Sequence, residues 1–221
     1  IGTSSRVAPV GGKGYVVGVL VQSNFGGVLS VDGVPVGKEL ERVAARTSDI
    51  GKKGGVAPWP KARRGSALRA ALALARERRA PRSDPRSCEA GLCDSGAGDG
   101  SCMIVVATDA PLSAKDLNRL AARALFGLAR TGSSFSNGSG DFSIAFSTAP
   151  ELRVAHGSTA VTMRPMLPAE ALSPLFQAAL EATEEAVLNS MLKAETMTAN
   201  GRTVHAVDIA RLKEILKKHG R

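Results

Sequence analysis

The sequence predicts a layered fold of the α+β or α/β class, and three observations support that prediction. The 221 residues are 43% apolar and 22% charged, which is typical of a chain that can form a real hydrophobic core. Short apolar runs interleave with segments of helical period, and no Rossmann or P-loop glycine signature accompanies them. No window approaches the roughly 18 uncharged apolar residues of a transmembrane helix. This composition excludes disordered, collagen-like and coiled-coil chains.

Strands are predicted on both sides of the middle of the chain. Residues 1–50 contain a Val-rich run, Tyr15 to Val21, followed by glycine-containing turns near residues 26 and 33. The continuous apolar run Met103 to Ala107 predicts a strand that is buried on both faces. Phe142 to Phe146 alternates in the manner of a further strand.

Helices are predicted between and after these strands. Residues 113–129 have the helical period, with Ser113 as the N-cap residue. Residues 168–197 are predicted to be helical in two pieces, with a hinge near Ser173 and the proline that follows it. An amphipathic helix over residues 206–219 ends the chain.

The segment between residues 51 and 100 has a different composition. Residues 52–86 contain 11 basic residues and 2 acidic ones, a balance of +9 that equals the net charge of the whole chain. A helix is predicted from Ser66 to Arg79, and residues 81–100 are too rich in Pro, Ser, Asp and Gly to order themselves. The segment is interpreted as a solvated linker rather than a basic patch for an acidic partner. Only 4% of the residues are aromatic, which argues against a platform on which the bases of single-stranded nucleic acid could stack. Nucleic acid is therefore not predicted as a partner.

The cysteines indicate a reducing compartment, and hence the cytoplasm. There are three (Cys88, Cys93 and Cys102), an odd number without the spacing of a disulfide framework. Cys88 and Cys93 have no second Cys or His pair nearby, so neither a metal nor a cofactor is predicted. The first residue, Ile1, is neither a Met nor part of a signal segment, and we expect that part of the protein precedes it.

The junction between Gly100 and Ser101 is the most informative point for function. A glycine-rich segment leads directly into a hydroxyl residue that begins a predicted buried strand. Self-cleavage needs such an arrangement, since the Ser101 hydroxyl would attack the carbonyl of the residue before it. Cleavage would leave Ser101 with a free amine, and the amine of an N-terminal residue is a general base for its own hydroxyl.

Six segments around this junction resemble motifs of the L-aminopeptidase/D-amidase-esterase family, which includes the β-peptidyl aminopeptidases. They occur in the family's order and cover nearly the whole chain except residues 51–97. The segments are residues 1–6 (IGTSSR), 17–26 (VGVLVQSNFG), 33–37 (GVPVG), 98–112 (GDGSCMIVVATDAPL), 138–147 (GSGDFSIAFS) and 188–198 (LNSMLKAETMT).

The resemblance implies an enzyme made as one inactive chain that cuts itself between Gly100 and Ser101. It implies an αββα sandwich that resembles the N-terminal-nucleophile hydrolases, here lacking its N-terminal part. Residues 1–50 would be the end of the α-subunit core, 51–100 a basic, flexible insertion and pre-cleavage tail, and 101–221 the β-subunit. The α and β parts would stay together, in a homo-oligomer of αβ units without membrane contact. The substrates implied are short peptides, amides or esters, from which an N-terminal residue is removed.

The same resemblance implies roles for four residues. Ser101 is the nucleophile, and Asn24 matches an asparagine of the family's oxyanion hole. Ser139 and Asp141 match a Ser-Gly-acid element that supports the nucleophile and its amine, with Asp141 shorter than the Glu found in the best-described β-aminopeptidases. Cys102, next to the nucleophile, is expected to point to the opposite face of the strand.

Two other functions remain open. The first is an acyltransferase of the ornithine acetyltransferase type, whose members share a related fold and self-cleavage but use Thr where this chain has Ser101. The second is an inactive, truncated chain in which the basic segment binds nucleic acid.

Overall fold

A computed structural model describes residues 1–40, 100–199 and 202–221. Three features discussed from the sequence lie outside the described residues: the predicted boundary at residues 50 and 51, the basic segment 52–86 and the predicted helix 66–79. The cysteines at 88 and 93 lie outside them as well.

A four-stranded sheet organises the described residues. Its strands are β1 (Gly2–Val10), β2 (Lys13–Asn24), β3 (Ser101–Thr108) and β4 (Phe142–Ser147), in the order β1-β2-β3-β4. β1 and β2 form an antiparallel hairpin, β3 is antiparallel to β2, and β4 is parallel to β3. A parallel pair needs a crossover connection, which here contains a helix. The predicted strands at Tyr15 to Val21, Met103 to Ala107 and Phe142 to Phe146 are all confirmed.

One face of the sheet carries the hydrophobic core. Because successive side chains in a strand point to opposite faces, Val17, Val19 and Val21 of β2 share one face, as do Ile104 and Val106 of β3. All five are at most 3% exposed, and they pack in one cluster with the helices that cover this face. The sheet and its helices therefore form two layers.

Two long helices make the covering layer. The helix α1 (Ala114–Arg130) begins at Ser113, whose hydroxyl oxygen accepts a hydrogen bond from the backbone N–H of Asp116 at 3.1 Å, so the predicted cap is confirmed. The helix α2 (Ser173–Leu192) packs beside α1 and across β1 and β2. None of the helices in the described part of the chain is long and apolar enough to cross a membrane.

Smaller elements complete the described residues. Residues 36–40 are helical, and β5 (Met197–Ala199) pairs with β6 (Arg202–Val204) in a short hairpin. The last helix, α3 (Ile209–Lys218), begins at Asp208 and lies within the predicted range of residues 206–219. Val34 and Val36 pack with Leu212 and Ile215 of α3 in a second, smaller core; the four residues are at most 8% exposed.

Two predictions about these elements need correction. The helical prediction over residues 168–197 is wrong at its end, because α2 stops at Leu192 and Met197 opens the β5–β6 hairpin. At its start, the predicted division into two pieces near Ser173 is confirmed, and the first piece is a 3-10 turn over Ala169–Ala171 that precedes α2. β3 is not buried on both faces within the described residues: Met103 is 49% exposed and Val105 is half-buried, whereas the alternate residues are buried.

The packing of α1 on the sheet generates a stability prediction. Leu120 is fully buried in the core, so Leu120→Ala removes apolar contacts and leaves a cavity. We expect the free energy of unfolding to fall by about 2–5 kcal/mol, measured by urea denaturation of the purified protein. Asn118→Ala, on the exposed side of the same helix, should change it by less than about 0.5 kcal/mol. Equal effects of the two substitutions would contradict the assigned core.

Candidate active site

Ser101 and Asn24 lie directly opposite each other on adjacent strands. Ser101 is the first residue of β3 and Asn24 the last residue of β2, and the antiparallel register pairs them. Side chains of directly opposed residues share a face, with Cβ atoms about 4.5–5.5 Å apart. This face is the one away from the helices, and the Ser101 hydroxyl and the Asn24 amide share it.

The backbone at Gly100 is packed against the end of β2. A Cβ atom at this residue would lie 2.2 Å from the carbonyl oxygen of Asn24 and 2.6 Å from the Cα of Phe25. Both are backbone atoms that cannot turn away, so the site accommodates only glycine without a shift of the strand end. The peptide bond before Ser101 is thus held close to the strand that carries Asn24.

The loop before β4 approaches the Ser101 hydroxyl from the other side. The backbone N–H of Gly140 donates a hydrogen bond to the Oγ atom of Ser101 at 3.1 Å. A Cβ atom at Gly140 would lie 3.3 Å from that same Oγ atom, so the absence of a side chain keeps this approach open. A backbone donor on a serine oxygen fixes the hydroxyl and favours negative charge on it.

Ser139 and Asp141 flank Gly140 and are joined by a hydrogen bond. The Ser139 hydroxyl donates to Oδ2 of Asp141 at 2.6 Å. The other carboxylate oxygen, Oδ1, is buried and has no hydrogen-bond partner among the described residues. Burial of a carboxylate oxygen without a hydrogen-bond donor costs free energy. The Oδ1 atom can therefore accept a hydrogen bond from a further donor.

Cys102 points away from the site, as the alternation of the strand predicts. Its side chain is fully buried in the core on the helix side of β3. Burial, with a smaller contribution from the negative charge of Asp141, raises the pKa of the Cys102 thiol to about 11. A thiol in this state is protonated at neutral pH, which makes it a poor nucleophile.

The structure therefore brings together the predicted residues around one serine. Ser101 faces Asn24 across the β2–β3 register, and the Ser139–Asp141 pair adjoins the Gly140 N–H that contacts Ser101. The sequence reasoning did not single out Gly140. The signal was available, because a glycine between two polar residues of one motif is typical of a loop whose backbone approaches another group closely.

Comparison with known proteins assigns the chain to a family. The family model described as peptidase family S58 matches residues 1–204. The β-peptidyl aminopeptidase BapA of Sphingosinicella microcystinivorans is 40% identical over 233 residues, an overlap that takes in 100% of this chain and 48% of that protein. The chain thus spans about half the length of this curated relative.

Solved structures show the same likeness. The PH0078 protein of Pyrococcus horikoshii OT3 superposes with a TM-score of 0.71 at 36% identity, over 100% of this chain and 48% of the other. The L-aminopeptidase D-Ala-esterase/amidase of Ochrobactrum anthropi, described as a variant of the Ntn hydrolase fold, superposes with a TM-score of 0.69 at 32% identity, over the same shares. The predicted fold class is confirmed, and the chain belongs to peptidase family S58.

Proposed function

We propose that the protein is an autoprocessed serine aminopeptidase or amidase in which Ser101 is the nucleophile. The observation that carries the proposal is the surroundings of one hydroxyl group. The Ser101 Oγ atom accepts a hydrogen bond from the Gly140 N–H, and Ser101 faces Asn24 across the strand register. Next to Gly140, the half-buried Asp141 has a buried Oδ1 atom that no donor among the described residues contacts. Nucleophile, oxyanion donor and an acceptor for an amine are the groups that acyl transfer by an N-terminal serine requires.

Self-cleavage is the first step of the proposed mechanism. The Ser101 Oγ atom attacks the carbonyl carbon of Gly100, and the C–N bond between the two residues breaks. The proton that the hydroxyl loses goes to the Ser101 nitrogen, which becomes an amine. The product is an ester between Gly100 and Ser101. Water hydrolyses this ester, which frees the Gly100 carboxylate and restores the Ser101 hydroxyl.

Substrate hydrolysis then uses the new N-terminus. The Ser101 amine accepts the proton of its own hydroxyl as Oγ attacks the substrate carbonyl carbon. The Asn24 amide donates to the oxygen that becomes negative, and the leaving amine takes the proton. Water attacks the acyl-Ser101 ester in turn and releases the N-terminal residue of the substrate as an acid.

Asp141 orients the amine in this proposal. Its free Oδ1 atom accepts a hydrogen bond from the Ser101 amine, while Ser139 holds Oδ2. The side chain of Asp141 is shorter than a Glu, and one observation supports its reach: Gly140, its neighbour in the chain, contacts the Ser101 Oγ atom. A carboxylate favours the charged amine, so its contribution is orientation rather than basicity.

The proposed partners and location follow the predictions from sequence. The substrate is a short peptide or amide, and the α and β parts of one precursor remain associated in a homo-oligomer. The spacing of the three cysteines in this chain, which is not that of a disulfide framework, supports a cytoplasmic location.

Replacement of the nucleophile tests the proposal directly. In the full protein, we expect the wild type to split before Ser101 and to release a fragment whose first residue is Ser101. Ser101→Ala should stay whole, because it lacks the attacking oxygen. Mass spectrometry under denaturing conditions measures this. Ser23→Ala, a neighbouring serine that pairs with Ser190 on the helix side, should still split. A wild type that stays whole after long incubation would disprove self-cleavage.

Removal of the oxyanion donor gives a second test. Asn24→Ala should lower kcat on a peptide amide by about 10²–10³ with little change in KM, because the donor acts on charge that develops in the transition state. Asn118→Ala, an exposed asparagine on α1, serves as the matched control and should retain full activity. An effect confined to KM would instead make Asn24 a substrate-binding residue.

The charge of Asp141 should affect the pH dependence of kcat/KM. A carboxylate beside an amine favours the protonated amine, so Asp141→Asn should move the acidic limb of kcat/KM to lower pH while the maximum falls. Asp141→Glu keeps the charge and should leave the limb in place. An unchanged limb in Asp141→Asn would show that the carboxylate does not contact the amine.

A further inference from the structure

Two loops beside the active site are joined along their backbones: residues 26–30, which follow β2, and residues 131–134, which follow α1. Three backbone hydrogen bonds connect them: the Val28 N–H to the Gly132 oxygen at 3.0 Å, the Ser30 N–H to the Thr131 oxygen at 2.9 Å and the Ser134 N–H to the Gly26 oxygen at 3.1 Å. The Ser134 hydroxyl also donates to the Gly26 oxygen, at 3.1 Å. We call these two segments the paired loops.

Two glycines allow the paired loops to approach each other this closely. Gly27 and Gly132 have φ angles of 144° and 91°, in the range that favours glycine. A Cβ atom at Gly27 would overlap the carbonyl oxygen of Gly132 and lie 2.9 Å from the backbone nitrogen of Ser134. A Cβ atom at Gly132 would overlap the carbonyl oxygen of Val28. Because these are all backbone atoms, a side chain at either glycine would push the two loops apart.

The second of the paired loops is anchored in the core, whereas the first continues from the end of a strand. Thr131 is fully buried, and its hydroxyl donates to the carbonyl oxygen of Leu128 at 2.7 Å. Asn24 is the last residue of β2, and its pairing with Ser101 is the last one in the β2–β3 register. Self-cleavage would make Ser101 a chain end, and chain ends are poorly ordered unless other contacts hold them.

We propose that the paired loops position the Asn24 amide for catalysis, with Gly132 and Ser134 as positioning residues. The inference rests on the proposed function, because it needs Asn24 to donate to the oxygen that becomes negative. Gly26 lies two residues after Asn24, and its carbonyl oxygen accepts both hydrogen bonds from Ser134, so the chain is held on the side of Asn24 that β2 does not hold. In the cleaved enzyme these hydrogen bonds join the α part, which carries Asn24, to the β part, which carries Ser101.

A double-mutant cycle in the full protein tests this role. The substrate is whichever of the amides of phenylalanine, leucine, alanine and glutamate the wild type hydrolyses fastest, and kcat is referred to the fraction of protein that is split before Ser101. We expect Gly132→Ala to lower kcat by about tenfold to a hundredfold and to change KM by less than about threefold, because misplacing a catalytic group by about 1 Å has effects of this size. In an Asn24→Ala background, the same substitution should lower kcat by less than about threefold, since the donor that it misplaces is already absent.

Two further sets of variants separate positioning from a general effect of the substitution. Gly12→Ala adds a side chain at a similar φ angle, 79°, in the turn before β2, where only chain neighbours among the described residues lie within 4 Å of the new Cβ atom. At about 3.3 Å per residue, the 12 residues of β2 separate it from the end of the strand by roughly 40 Å, so kcat should stay unchanged. Ser134→Ala keeps the backbone N–H but loses the hydroxyl and should lower kcat by about threefold to tenfold, and Ser134→Thr should restore it.

Two outcomes overturn the inference while leaving the proposed function intact. One is an unchanged kcat in Gly132→Ala; the other is a fall in kcat that is equally large with and without the Asn24 side chain. Thermal melting and mass spectrometry identify a Gly132→Ala protein that does not fold or split, in which case Ser134→Ala and Ser134→Thr, each with and without Asn24→Ala, decide. Failure of the proposed function is seen separately, as a wild type that neither splits before Ser101 nor hydrolyses any of the amides.

Discussion

The antiparallel register between β2 and β3 is the constraint on which the site depends. It sets Asn24 opposite Ser101, and it does so at the last residue of one strand and the first of the other. A shift of one residue would turn Ser101 towards the helices and present the Cys102 thiol to the face away from them. The buried valines and Ile104 resist such a shift, because each would leave the core at the same time. The hydrophobic core thus determines which side chain is available as the nucleophile.

The loop before β4 depends on the same sheet. β4 pairs in parallel with β3 from Met103 onwards, so the residues that precede Phe142 lie beside the start of β3. The strand pairing therefore places Ser139, Gly140 and Asp141 beside Ser101, and the hydrogen bond from the Gly140 N–H to the Ser101 Oγ atom completes the contact. The helix α1, which connects β3 to β4 as part of their crossover, packs under the same two strands and holds them in register.

Much of this arrangement could be predicted from the sequence, because its signals are local. Apolar runs predicted the strands, and Ser113 with the helical period predicted α1 to within a residue at each end. The end of α2 could not be predicted in this way, since the residues after Leu192 have helical propensity and only the pairing of Met197 with Val204 overrides it. Gly140 was missed for a related reason. Gly140 acts through its backbone N–H, and the sequence does not distinguish this N–H from the backbone N–H groups of other residues.

Within the described residues β3 is buried on one face only, for a reason that bears on function. The sequence pattern is apolar on both faces, and the described residues cover only the face that carries Ile104 and Val106. The other face, which carries Met103 and Val105 beside Ser101, is not covered by the described residues. In a strand, a hydroxyl nucleophile at one end and apolar residues two and four positions later share a face by geometry alone. The alternation that buries the core on one side therefore also sets an apolar surface beside the nucleophile on the other.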